Sequence, residues 1–224
     1  MNGRLLITGR ESELGALIVR KLLDQGLSVT STESNDSIPL VDSDGNPYAK
    51  FRGISWNSRS PLSARNVVLK LINEKSEVDT ALVVLPTSVD NRPFHEVPSS
   101  AIDTSIDTEI KSHFFLVKEI LSFFQKRGNG RLVFILYKGG TDALPPVSAA
   151  VYGCLHDFVS SLFVFYQNER VKLLGYESNT PYPEEFAEYI VRDMSEMNGI
   201  GRWQKHGSRS SILENLPFSL KRRS

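Results

Sequence analysis

Apolar runs too short for helices alternate along this chain with segments in which apolar residues recur every three or four positions. An unbroken short run suits a strand buried on both faces, and the longer period suits a helix packed on one side. RLLIT, from Arg4 to Thr8, predicts a first strand. Leu14, Leu17, Ile18, Leu22 and Leu23 then share one face of a helix over 13–23 that Gly26 closes. LSVTST from Leu27 and FRGISW from Phe51 predict two more strands, with a hairpin turn at Asp44-Gly45 between IPLV and YAKF. Ser60-Pro61 supplies an N-cap and a first-turn proline, so a helix is expected from there to about residue 75. TALVVLP, RLVFILY and VKLLGY predict further strands. Helices are expected over 105–126, over 148–167 and at PEEFAEYIVRDM, and the pattern weakens beyond residue 200.

This alternation predicts an α/β fold in which a parallel sheet carries helices on both faces, as a single domain over 1–200 followed by a weakly patterned segment over 201–224. At 224 residues one domain suffices. The 26 basic and 26 acidic residues cancel, which argues against a field that attracts nucleic acid or an anionic membrane. The terminal Lys221, Arg222 and Arg223 read as a solvated tail. A single cysteine, Cys154, excludes an internal disulfide framework and reads as a small apolar residue of its helix. His95, His113 and His206 have no second ligand at metal-binding spacing, so no metal is expected. No apolar run approaches the ~18 residues of a membrane span, and a cytoplasmic protein is expected.

Two segments carry candidate chemistry. TGRESELG, Thr8 to Gly15, joins the first strand to the first helix, where close backbone approach and free N–H groups suit a diphosphate. Thr8, Gly9, Glu13, Leu14 and Gly15 are the candidate contacts, although the Glu13 carboxylate would repel such a group. Glu33, at the end of the second strand, is placed to accept hydrogen bonds from the hydroxyls of a ribose. The second segment, AAVYGCLHDF, sets Tyr152 and His156 one helical turn apart on one face.

Together these segments resemble the short-chain dehydrogenase/reductase family, whose turn reads T-G-x-x-x-G-x-G. EIKSHFFLVKEIL is similar to the family's N-V-K-x-x-F-F-L, with Glu109 in the place of the asparagine. GRLVFILYKGG is similar to G-R-I-V-N-I-S-S-x-x-G, with Tyr137 in the place of the catalytic serine. Val83, Val84, Leu85 and Pro86 stand where N-N-A-G is usual, and Ser178-Asn179 where Pro-Gly is usual. The resemblance spans about residues 4–197 and implies a Rossmann-like doubly wound sheet, an NAD cofactor and a catalytic tyrosine.

In that family a lysine one turn after the tyrosine lowers its pKa. Here His156 takes the place, and histidine is mostly neutral at pH 7. With Glu13, Glu109, Tyr137 and His156 all departing from the pattern, the expectation is a catalytically impaired protein that binds NAD weakly or not at all and serves as a binding or assembly subunit. The alternatives are an active NAD(H)-dependent oxidoreductase working through Tyr152 and His156, and a structural partner whose crevice its own side chains fill. Ile106, Ile110, Phe114, Val117, Leu121 and Phe124 form one stripe that Phe115, Leu116 and Phe123 widen, and 148–167 is similarly apolar. A homodimer through these two helices is therefore expected, as the resemblance also implies.

Overall fold

The computed structural model describes residues 4–207 except 35–39, 42–43, 47, 74–77, 87–89, 142 and 197–199. Strands β1 (Arg4–Thr8), β2 (Ser28–Glu33), β3 (Phe51–Ser55), β4 (Val78–Val84), β5 (Gly130–Tyr137), β6 (Val171–Ser178) and β7 (Trp203–His206) form one parallel sheet in the order β3-β2-β1-β4-β5-β6-β7. The order reverses between β1 and β4, so their carboxyl ends frame a crevice.

Strand alternation sorts the core into two layers. Leu6, Phe134 and Leu173 point to the face covered by α2 (Pro61–Asn73), α4 (Ser112–Arg127) and α5 (Pro146–Phe165). Leu5, Ile7, Val133 and Ile135 point to the face covered by α1 (Glu13–Asp24) and α6 (Pro183–Glu196). The expected cap of α2 is present, the Ser60 hydroxyl accepting from the Ser63 N–H at 3.2 Å.

The expected helix 105–126 begins earlier and is not uniform. A short α3 (Ser99–Ser105) runs through a π-helical turn, Ile106–Lys111, into α4. Side chains support this wider turn: the Ser112 hydroxyl donates to the Thr108 carbonyl at 2.6 Å, and His113 Nδ1 bonds the Glu109 carbonyl at 2.6 Å. Asp44 and Gly45 do form a turn, with Gly45 at φ 80°, and the hairpin expected around it falls partly on 38–39, 42–43 and 47, outside the described residues. The chain there leads into β3, which pairs with β2 in parallel. β7 lies beyond residue 200, where the apolar pattern is weak, while 208–224, including Lys221 to Arg223, lie outside the described residues.

Candidate functional site

The turn after β1 is closed by its own side chains. Gly9 adopts φ 77°, and a Cβ there would lie 2.7 Å from the Val84 carbonyl oxygen, so the turn meets β4 across the crevice only as glycine. Ser12 caps α1: its hydroxyl accepts from the Gly15 N–H at 3.1 Å and donates to the Gly9 carbonyl at 2.8 Å. Gly15 is equally confined, since an added Cβ would fall 2.1 Å from the Gly9 carbonyl oxygen. Leu14 points into the core, Thr8 is fully buried, and Glu13 is exposed in the first helical turn.

Glu33 does not stand open to a ribose. Its carboxylate receives Arg10 of the turn at 2.7 Å, and the two side chains are 24% and 7% exposed. The Arg10 guanidinium also lies 5.4 Å from the centre of the Phe51 ring. Glu33 reaches this position across Gly53, where even a methyl group would collide with the carboxylate. Beside the pair, a groove of about 290 Å³ opens between the turn and the end of β4, walled by Gly9, Ser12, Trp56, Leu85, Pro86 and His113. His113 meets Trp56 edge-on, with ring centroids 6.1 Å apart. Burial pushes the His113 pKa down to about 4, and its bond to the Glu109 carbonyl offsets this only partly.

Tyr152 and His156 are brought together as expected, but with an acid the sequence reading missed. The Tyr152 hydroxyl donates to Glu177 Oε2 at 3.3 Å, and His156 Nε2 lies 3.8 Å from the same oxygen. Lys205 approaches Glu177 Oε1 at 3.4 Å. The His156 ring is stacked between Tyr152 and Trp203, with centroids 6.3 and 5.2 Å away. Burial raises the Tyr152 pKa above that of an ordinary phenol, and the Glu177 charge raises it further. That charge comes from β6, whereas Glu109, in the place of the family's asparagine, sits in the π-helical turn with its Oε2 buried.

Tyr137 is not where the serine resemblance put it. It shares its strand face with Val133 and Ile135, so its ring packs on Phe186 of α6 at 5.8 Å, away from α5. Burial, Glu13 and Glu184 raise its pKa. The next residue, Lys138, faces Tyr152 instead, its ammonium 4.5 Å from the centre of the phenol ring. Cys154 is exposed rather than packed. Glu177 had one legible signal, an acid inside the apolar run VKLLGYES near a strand's carboxyl end. A second cavity of about 150 Å³ opens among Lys138, Tyr152, Glu177, Asn179, Lys205 and His206. Among the described residues no group of three or more acidic, histidine or cysteine side chains is placed to hold a metal.

The family model for short chain dehydrogenases matches residues 4–171. The chain belongs to this short-chain dehydrogenase/reductase family. Solved structures of the same fold include serine dehydrogenase from Escherichia coli, with TM-score 0.72 and 17% identity over 91% of this chain and 96% of that one. A short-chain dehydrogenase from Leptospira borgpetersenii with bound NAD+ superposes with TM-score 0.74 and 15% identity, over 92% of this chain and 91% of that one. At such identity the likeness is one of fold. A search of curated proteins finds no match. This short-chain dehydrogenase/reductase carries Tyr152 on α5, Gly9 at the turn after β1 and Gly15 in the first turn of α1. The groups around both are engaged with one another: Gly15 N–H with Ser12, Glu33 with Arg10, and Tyr152 with Glu177.

Proposed function

We propose that this chain is a non-catalytic member of its family, a pseudoenzyme that binds NAD weakly or not at all and acts as a binding or assembly subunit. The observation that carries the reading is the bond from Tyr152 to Glu177. A tyrosine that protonates an alkoxide needs its pKa lowered toward neutrality, and a carboxylate at its hydroxyl does the opposite. Lys138 rests on the ring face rather than at the hydroxyl, and His156 turns its Nε2 toward the same carboxylate. The residues present fit a dinucleotide poorly: Glu33 is committed to Arg10, the Gly15 N–H to Ser12, and Glu13 adds negative charge at the head of α1. No step of a hydride-transfer reaction is therefore assigned to them.

The assembly part of the proposal is a homodimer through α4 and α5. Contrary to the expectation from its broken apolar runs, helix α5 has the length and mean apolar character to cross a membrane, yet Val151, Leu155, Val159 and Phe163 seat one face of it on the core. Its outer face leaves Val164 and Phe165 64% and 79% exposed, apolar area that a second copy would cover. We place the protein in the cytoplasm.

Titration with NADH and NADPH, following nicotinamide fluorescence, tests the cofactor reading. Binding should be weak, and Glu13→Gly should tighten it by removing a charge. Unchanged affinity in the variant would sink this account of the turn. An assay against aldehydes, ketones and alcohols tests the rest, because robust turnover lost in Tyr152→Phe would establish an active oxidoreductase. Lys138 is what favours that second reading, since its ammonium lies 4.5 Å from the centre of the Tyr152 ring.

A further inference from the structure

The cavity of about 150 Å³ over Tyr152 has a charge pattern that the family's chemistry does not use. Two ammonium groups, Lys138 and Lys205, face one carboxylate, Glu177. Lys205 is paired with that carboxylate at 3.4 Å. Lys138 is not: its Nζ lies over the Tyr152 ring, and among the described residues it has no carboxylate partner. The main chain that carries it is anchored. The Lys138 N–H donates to the Ser178 carbonyl at 3.0 Å, and the following Gly140, at φ 75°, packs so closely on Pro181 that a Cβ would lie 2.8 Å from it. The ammonium lies over the Tyr152 ring at the wall of a small cavity, beside a 13%-exposed acid.

We infer that this cavity binds a short hydroxycarboxylate as a monoanion, its carboxylate on Lys138 and its hydroxyl donating to Glu177. The volume of about 150 Å³ matches roughly five waters at ~30 Å³ each, which suits a ligand of a few heavy atoms. The lone ammonium selects for an anion. Glu177 selects against a dianion, which it repels, and in favour of a ligand that presents a donor to its carboxylate. His206, the other titratable wall, is held toward its neutral form by burial, so it adds little positive charge near pH 7.

This inference deepens the reading of the cleft as a binding site, and its test runs without nucleotide. Calorimetric titrations with glycolate, acetate and inorganic phosphate are compared. Glycolate should bind saturably, about tenfold tighter than acetate, the worth of one hydrogen bond to a charged acceptor. Phosphate should bind least. Lys138→Met should abolish glycolate binding, and Lys138→Gln, which keeps a polar head without the charge, should do the same. Glu177→Gln should erase the preference for glycolate over acetate. Absence of saturable glycolate binding, equal binding in either Lys138 variant, or a preference that survives in Glu177→Gln overturns the proposal. Nicotinamide-dependent turnover would instead overturn the non-catalytic reading, so the two fail separately.

Discussion

Replacing Glu177 by glutamine should release the acidity of Tyr152. The phenol oxygen and the carboxylate oxygen are 3.3 Å apart. A phenolate and a carboxylate at that distance repel by about 5 kcal/mol at an effective dielectric of ~20 and by about 1 kcal/mol in water. One pKa unit corresponds to ~1.4 kcal/mol, so the two limits span roughly one to four units. Tyr152 is only partly buried and Lys205 already offsets some of the Glu177 charge, which favours a fall of about one to two units. Burial, the larger cause of the raised pKa, remains in the variant, so Tyr152 should still titrate above an ordinary tyrosine. Absorbance titration of the phenolate band measures this. Seven tyrosines contribute, and subtracting the Tyr152→Phe titration in each background isolates the one of interest. If Tyr152 titrates at the same pH with and without the Glu177 charge, the electrostatic argument fails. If the natural protein's Tyr152 titrates below pH 10, the non-catalytic reading loses its main support.

His113 gives a pH dependence of opposite sense. Its folded pKa of about 4 lies below the unfolded value of 6.5, so the unfolded chain binds the extra proton first. Stability should fall by up to about 3 kcal/mol as pH drops from 6.5 through 4, and His113→Phe should flatten that part of a urea-denaturation profile. Glu33→Gln leaves the buried Arg10 guanidinium without its carboxylate and should cost about 1–2 kcal/mol in urea denaturation, less than a fully buried pair because Glu33 is 24% exposed. An Arg10→Met/Glu33→Gln double variant should recover part of this loss, and additivity would argue against the pair. Phe165→Glu should convert a dimer to a monomer by light scattering at micromolar concentration, and a natural protein already monomeric there would refute the assembly proposal.

The sequence by itself determined the order of strands and helices, because each element's burial is written in its own period. TALVVLP reads as β4 and Leu14, Ile18 and Leu22 as the inner face of α1 without knowledge of any neighbour. It also set Tyr152 and His156 on one face, since that spacing is local to a helix. What lies across the sheet was not local. β7 is four residues long with little apolar pattern, and its place is decided by pairing with β6. Arg10 and Glu33 read as a turn residue and a ribose acceptor until the return of the chain through Gly53 let them meet. Tyr137 and Lys138 differ by one position, and a strand sends adjacent side chains to opposite faces. Alignment by likeness could therefore assign either one to the site, and only the folded sheet directs Tyr137 to Phe186 and Lys138 to Tyr152. Glu177, from a different strand, sets the acidity of Tyr152 through an approach that only tertiary packing creates.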